Sequence, residues 1–439
     1  MRRSARTVVL IDLSTFSFRS RPRPGRVFAA PDDLRDGYDV VVVGGGVRGL
    51  AIARACAADG ASVALLAAGE IAAAADERAW PVVRSAHVDR LRAGSDGAAA
   101  ARLRRTARNL GGGVAIDRSG CLTLADGFGA VERLGEAAAR LTSDGVEAWM
   151  VPAREVAALS PPLSGRSNLG AALYEPGAAT VDADALALAL AGDAAARGAH
   201  LVPHAPVAAI ERLGAAAAGV ETLGRSVRAG AIVLAGDLSA IRLVREGRGR
   251  LSLTRDERLI LVTSAGAPDI GPALAIDDLL VSRDRAGALT LSGPANAGAI
   301  ARRLTALAPA LGGLAVAAEE PVTIWTGVDG LPQVGAAEIE RLWLALGYGR
   351  NGLSLGLAAA EHLAARIAGR RGEATLDPFA PTRRPAIRAS ELLRRAGRSA
   401  FPPRRPRVSA SRSTARSPSA SASAGGRRTG STATASQAR

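Results

Sequence analysis

The chain has 439 residues, 48% of them hydrophobic, and a formal net charge of +15, which is enough apolar content for more than one buried core. No apolar run of membrane-spanning length is free of Gly or charge, and no apolar signal core follows the basic start, so the composition argues for a cytoplasmic protein. The two cysteines, Cys56 and Cys121, form no CxxC pair, which excludes a cysteine-based zinc site; reduced structural thiols and no metal are expected.

The positive charge sits at the ends. Residues 1–36 carry +4 and residues 382–439 carry +13, which leaves −2 for everything between them. Any polyanion contact therefore belongs to the ends, and no specific nucleic-acid site is expected in the body. The Arg-, Ser- and Ala-rich tail lacks the apolar surface to offset ordering entropy and is expected to be disordered, as is the basic segment 1–36. All 56 basic residues are Arg. Without Lys there is no Schiff-base partner, lysine phosphate clamp or lysine that activates dioxygen.

In chain order, "YDVVVV" (38–43) reads as a parallel strand buried on both faces. The glycines after it open a helix, "RGLAIARACAADG", which stops at Gly60, and "ASVALLA" is a second buried strand, completing a βαβ unit. An Arg-rich helix near 98–110 and a strand pair in "GVAIDRSGCLTLADG" follow. Helices come next in "AVERLGEAAARLTSDG", "PAREVAALSP" and "DADALALALAGDAAARGA". "HLVPHAPVAAIERLG" and "SVRAGAIVLAGD" read as strands and turns, and "LILVTSAG" and "ALTLSG" as antiparallel strands of a second sheet. "RLWLALGYGRNGLSLGLAAAEHLAARIAG" reads as a strand, a Gly-rich turn and a long helix. The alternation indicates an α/β fold interrupted by a more antiparallel domain.

Gly44, Gly46 and Gly49, with Gly45 between the first two, satisfy GxGxxG in the required strand-to-helix context. This is the pattern of a turn that admits a pyrophosphate to a helix N-terminus. The acid that normally holds the ribose hydroxyls at the end of the second strand is absent: Ala67 stands there. Glu70 substitutes only if its loop turns back. Asp76 and Glu77 follow shortly after, and carboxylates there repel a pyrophosphate unless they point outward.

With that opening, "WTGVDGLPQVG" (325–335) and "LGYGRNGLSLGLAAAEHLAARIAG" (346–369) make the chain resemble the D-amino-acid oxidase superfamily of FAD-dependent oxidoreductases, within it the sarcosine oxidase β-subunit and glycine oxidase group. "RAWPVVRSAHV", "RSGCLTLADG", "VPAREVAALSP" and "LAGDLS" resemble further segments of that group, in the same order over roughly residues 37–382. The resemblance implies an α/β chain with a Rossmann-like FAD-binding domain interleaved with a smaller, mostly antiparallel α+β substrate domain. The FAD-binding segments would be 37–95, 151–250 (mainly) and 325–382, and the substrate-domain segments 96–150 and 251–324, between the end segments 1–36 and 383–439.

The same resemblance implies that Gly44, Gly46 and Gly49 cradle the pyrophosphate, that the Val207 backbone meets the adenine and that Gly236 lies near the phosphates. Gly330, Gly349, Asn351 and Gly352 would meet the flavin. It also implies oxidation of a carbon–nitrogen bond in a small amine or amino acid, with partner subunits or a separate electron acceptor. Only "TGV" separates Trp325 from Asp329, which leaves no room for the Arg that often pairs with a substrate carboxylate there. The absence of Lys, which members of the family use to activate dioxygen, points toward a dehydrogenase that passes electrons to another acceptor or toward a differently organised oxidase. Arg84 and His87 are candidates to bind a substrate carboxylate and to handle a proton, and Tyr348 is a candidate to line the pocket. His200, His204 and His362 are expected to be exposed or capping groups. The alternative is a cofactor-poor member of the family that serves as a non-catalytic subunit or scaffold of an oxidoreductase complex, which Ala67, Asp76, Glu77 and the short stretch after Trp325 favour.

Overall fold

A run of β-branched residues followed by three glycines organises the first half of the fold. In the computed structural model, which describes residues 27–73, 75–84, 99–111, 113–164, 169–246 and 251–383, that run is β1 (Gly37–Val43). Residues 40–43 are buried on both faces. The chain continues into α1 (Val47–Ala58), β2 (Val63–Leu66), the short α2 (Ala75–Ala79) and β3 (Val82–Val83). It then forms α3 (Ala99–Asn109), β4 (Ile116–Asp117), β5 (Cys121–Asp126), α4 (Phe128–Ser143), β6 (Trp149–Pro152), α5 (Ala153–Leu159), β7 (Leu169–Glu175) and β8 (Ala179–Val181). Next come α6 (Ala183–Ala196), β9 (His200–Val202), β10 (Val207–Leu213), β11 (Ala216–Thr222), β12 (Arg225–Leu234) and α7 (Asp237–Glu246). The rest comprises β13 (Leu253–Thr263), β14 (Ala273–Ile276), β15 (Leu279–Arg283), β16 (Leu289–Pro294), α8 (Ala297–Leu307), β17 (Val316–Gly327), β18 (Gln333–Ala336), β19 (Leu342–Leu346) and α9 (Gly352–Ile367).

The first sheet has a parallel centre. β1 lies between β12 and β2, with β9 beyond β2 and β19 beyond β12, all parallel. Helices α1, α6 and α9 pack on one face and bury Leu50, Ile52, Leu186, Leu190, Leu355 and Leu363 with almost no exposure. Each such side chain contributes about 1.5–3 kcal/mol relative to exposure. The second sheet runs β17-β13-β16-β15-β14-β5-β7-β6 and is antiparallel except at β14–β5. The fold is thus α/β with a parallel sheet interleaved with a mostly antiparallel one, as expected.

Some expectations change in detail. The two strands read in "GVAIDRSGCLTLADG" do not pair with each other: β4 pairs with β8 and β5 with β7. The switch back to the first sheet expected at residue 150 falls inside β6, which pairs with β7 in the second sheet. Residues 27–36 are ordered, contrary to expectation. Val27 and Phe28 pack on the core, Leu34 is buried, and Ala29 N donates to Leu201 O at 2.8 Å. The rest of the two basic ends, apart from Thr382 and Arg383, lies outside the described residues. Among the described residues no helix is long and apolar enough to cross a membrane.

Candidate functional site

At the end of β1 the chain turns at Gly44, whose φ of +130° favours glycine. A Cβ there would lie 2.6 Å from Gly236 N, and one at Gly49 would lie 1.9 Å from Gly44 O. Close packing between β1, α1 and the end of β12 therefore demands these two glycines. Gly46 differs: a Cβ there meets only Ala73 O at 3.9 Å, so its missing side chain leaves space beside the N-terminus of α1.

The loop after β2 lies on this turn. Ala72 N donates to Gly45 O at 2.9 Å, and a Cβ on Gly45 would come within 2.7 Å of the Ala67 Cβ. Ala67 is buried and its backbone is tied to Val202 and Ala205. The loop does turn back, yet the Glu70 carboxylate faces away, 3.0 Å from His204 Nε2 on an exposed surface. At the start of β10, Arg242 of α7 donates to the carbonyls of Val207 and Ala208. The carbonyl of Val207 is therefore already engaged.

The residue that motif reading passes over is Arg48, one of the two variable positions before Gly49. It is the second residue of α1 and only 8% exposed. A cation at a helix N-terminus opposes the helix dipole, and a buried one needs partners. Three carboxylates supply them. Arg48 Nη2 reaches Asp76 at 2.8 Å, Nη1 reaches Asp237 at 3.0 Å, and Nε lies 3.7 Å from Glu77. Asp76 and Glu77 thus point inward, onto Arg48.

Three carboxylates exceed one guanidinium, and the excess shows in the titration of Asp76 and Glu77. Burial pushes the Asp76 carboxyl up to about 7, with Glu77 and Asp237 adding to the rise against the pull of Arg48. Burial also raises Glu77, again against Arg48. Burial alone would lower the Arg48 pKa, but the three acids outweigh it and hold the guanidinium charged.

The Gly-rich turn after β19 closes the site. Asp237 Oδ1 accepts from Gly347 N at 2.7 Å, and the Arg48 guanidinium stands 5.3 Å from the centre of the Tyr348 ring. Tyr348 is buried, which keeps its phenol protonated. Gly349 has φ +58°, and a Cβ there would strike Thr326 Oγ1 at 2.5 Å. A Cβ on Gly352 would lie 3.1 Å from Glu77 Oε1. Tyr348 OH, Asn351 Oδ1 and Glu77 Oε1 are buried and have no hydrogen-bond partner among the described residues. Gly330, at φ +82°, sits in a separate turn whose Asp329 is clamped by Arg383 through two 2.9 Å bonds.

Arg84, just after β3, is buried and donates from Nη1 to Thr123 Oγ1 at 2.6 Å and to Cys121 Sγ at 3.5 Å. The structure therefore brings Gly44, Gly46, Gly49, Gly236, Tyr348, Asn351 and Gly352 around Arg48, while Arg84 stands on the neighbouring sheet. His87 lies outside the described residues. His362, expected to be exposed or capping, is instead buried in α9 with Nδ1 3.1 Å from Glu373 O; His200 is half-buried against Tyr38. Both cysteines are free and buried, and burial raises Cys56 to about 12 and Cys121 to about 11, so neither is a thiolate.

Residues 39–366 match the family described as "FAD dependent oxidoreductase" (DAO). No curated protein matches the chain. Among solved structures, glycine oxidase from Geobacillus kaustophilus superposes with a TM-score of 0.73 at 24% identity, over 80% of this chain and 100% of that one. L-proline dehydrogenase from P. horikoshii gives 0.74 at 18%, over 81% and 100%. Iminodiacetate oxidase from Chelativorans sp. BNC1 gives 0.68 at 20%, over 78% and 98%. At these identities the structures attest the fold.

Proposed function

The chain belongs to the FAD-dependent oxidoreductase family, and we propose that it oxidises the carbon–nitrogen bond of a small amine or amino acid to an imine, which water then hydrolyses. FAD, when bound, supplies the hydride acceptor. The observation that carries this reading is the space left at Gly46 beside the α1 N-terminus, bordered by glycines that packing demands.

Two features of this chain support the fit of that cofactor. The N-terminal amides of α1 and their partial positive charge suit a pyrophosphate. The orphaned Tyr348 OH and Asn351 Oδ1 offer a donor and an acceptor to a ligand in the same place. One feature is missing: no carboxylate at Ala67 meets the ribose. Arg84 would orient a substrate carboxylate, its guanidinium held by Thr123.

The glycine oxidase, L-proline dehydrogenase and iminodiacetate oxidase folds are consistent with a substrate of this size. The carboxylate excess around Arg48 favours a second reading, a family member that holds FAD weakly and acts as a non-catalytic subunit. An absorbance spectrum of the purified protein decides between them. Flavin bands that bleach anaerobically with an amine support the enzyme, and a protein that stays colourless after FAD is added excludes it.

A further inference from the structure

Three arginines converge on one aromatic ring. The guanidinium carbons of Arg350, Arg258 and Arg84 lie 4.5, 5.8 and 6.0 Å from the centre of Trp80. Each comes from a different part of the chain: the turn before α9, strand β13 and the segment after β3. Trp80 is buried against Val82, Cys121, Ala273, Ala275 and Leu280, on the β5–β14–β15 part of the second sheet.

The segments that supply this cluster also build the cofactor cradle. Residues 76–84 carry Asp76 and Glu77, which reach Arg48, as well as Trp80 and Arg84, and the turn 347–352 carries Tyr348 and Asn351 together with Arg350. The arginine cluster and the Arg48 site thus share two chain segments, and Trp80 packs on the antiparallel sheet.

Their partners differ. Arg258 is well bound, by Ser292 Oγ at 3.3 Å, Ser292 O at 3.2 Å, the Asp278 carbonyl and Asp256 at 3.4 Å. Arg350 has no carboxylate partner among the described residues. Its contacts are the Asp277 carbonyl at 3.4 Å and the face of Trp80. Burial lowers its pKa to about 10, and Arg258 and Arg84 push the same way against a smaller opposing pull from Asp256.

We propose that Arg350, with Arg84 and Arg258 around Trp80, binds a carboxylate, and that the substrate is an amino acid carrying a second carboxylate. The proposal rests on the reading of the chain as an amine or amino-acid oxidoreductase. A zwitterionic amino acid with one carboxylate has no net charge, and its ammonium group is repelled by clustered guanidinium groups. A second carboxylate restores attraction and gives Arg350 the partner it lacks. The same cationic surroundings lower the amine pKa and so favour the neutral amine from which hydride transfer proceeds.

The test uses full-length protein incubated with FAD and compares malonate and succinate with acetate at equal ionic strength. Binding is read twice, by perturbation of the flavin spectrum and by thermal shift of the protein with and without FAD. The expected result is a dissociation constant about tenfold or more lower for a dicarboxylate than for acetate, as one additional charge-assisted hydrogen-bonded contact gives. Arg350→Gln should abolish that preference while Arg350→Lys retains part of it. Equal binding of acetate and the dicarboxylates by the unmodified protein overturns the proposal, even if the Gln variant fails to fold. An absence of flavin bands overturns the underlying functional reading instead, and the thermal shift still decides the anion site.

Discussion

Asp237 and Arg48, 189 residues apart in sequence, meet at 3.0 Å beside the glycine turn that follows β1, and the other oxygen of Asp237 accepts the backbone N–H of Gly347 at 2.7 Å. One carboxylate thus ties α1, the start of α7 and the Gly-rich turn together. Removing Asp237 leaves Arg48 paired with Asp76 and Glu77 but leaves the buried Gly347 N–H without its acceptor, which costs about 1–3 kcal/mol. Asp237→Ala should lose stability on that scale in urea unfolding, whereas Asp237→Asn, which still accepts from Gly347, should lose less. Equal losses for the two variants would show that the Gly347 bond contributes nothing.

The carboxylates around Arg48 give the cradle a pH dependence with a definite sign. Asp76 titrates near 7 in the folded protein, pushed up by burial first and then by Glu77 and Asp237, against about 3.9 in an unfolded chain. Between those values the folded state holds more protons, so this group's contribution to stability is greatest at low pH and falls as pH rises to 7. Above 7 the cost is complete. FAD affinity should follow the same direction, because a protonated Asp76 no longer repels the pyrophosphate. Titration with FAD at pH 6 and pH 8 should give tighter binding at pH 6, and Asp76→Asn should flatten the difference. Tighter binding at pH 8 would place Asp76 away from the phosphates.

Much of this fold is legible because its signals are local. A β-branched run, glycines at fixed spacing and Ala- and Leu-rich helices announce β1, α1 and α9 wherever they occur. β17 escapes such reading: its first half, Val316–Pro321, is largely exposed, and Glu319, Glu320 and Pro321 break the alternation. An edge strand tolerates these residues, since one side of its ladder needs no partner. Arg48 escapes for a different reason. In GxGxxG its position is free by definition, and only burial at a helix N-terminus makes an arginine there exceptional. Asp76 and Glu77 could be noticed as a pair, but their neutralisation by Arg48 and the arrival of Asp237 are products of the tertiary fold.

Ala67 allows a gain-of-affinity experiment. It stands at the end of β2, buried, with its Cβ against Gly45, where an acid would face the ribose of a nucleotide in the cradle. Ala67→Glu should improve FAD affinity about tenfold or more, the worth of hydrogen bonds to a charged acceptor. The same substitution should lower the melting temperature of the FAD-free protein, because a buried carboxylate without a partner is costly. The opposing signs distinguish a restored ribose contact from general stabilisation. Unchanged affinity alongside a lowered melting temperature would mean that the ribose is held elsewhere.

Gly46 separates the two duties of the glycine turn. It has φ −79°, which any residue adopts, and a methyl group there meets only Ala73 O at 3.9 Å. Gly46→Ala should therefore fold with a melting temperature close to that of the parent in the absence of FAD. Gly44→Ala should not, since its methyl group would lie 2.6 Å from Gly236 N at a strained φ. If the space at Gly46 receives the pyrophosphate, the methyl group occupies part of it, and FAD affinity should fall steeply in a protein whose fold is intact. Isothermal titration with FAD beside thermal unfolding reads both quantities. Full FAD affinity in a stable Gly46→Ala variant would refute the assignment of this space to the cofactor, because nothing in the fold itself requires glycine there.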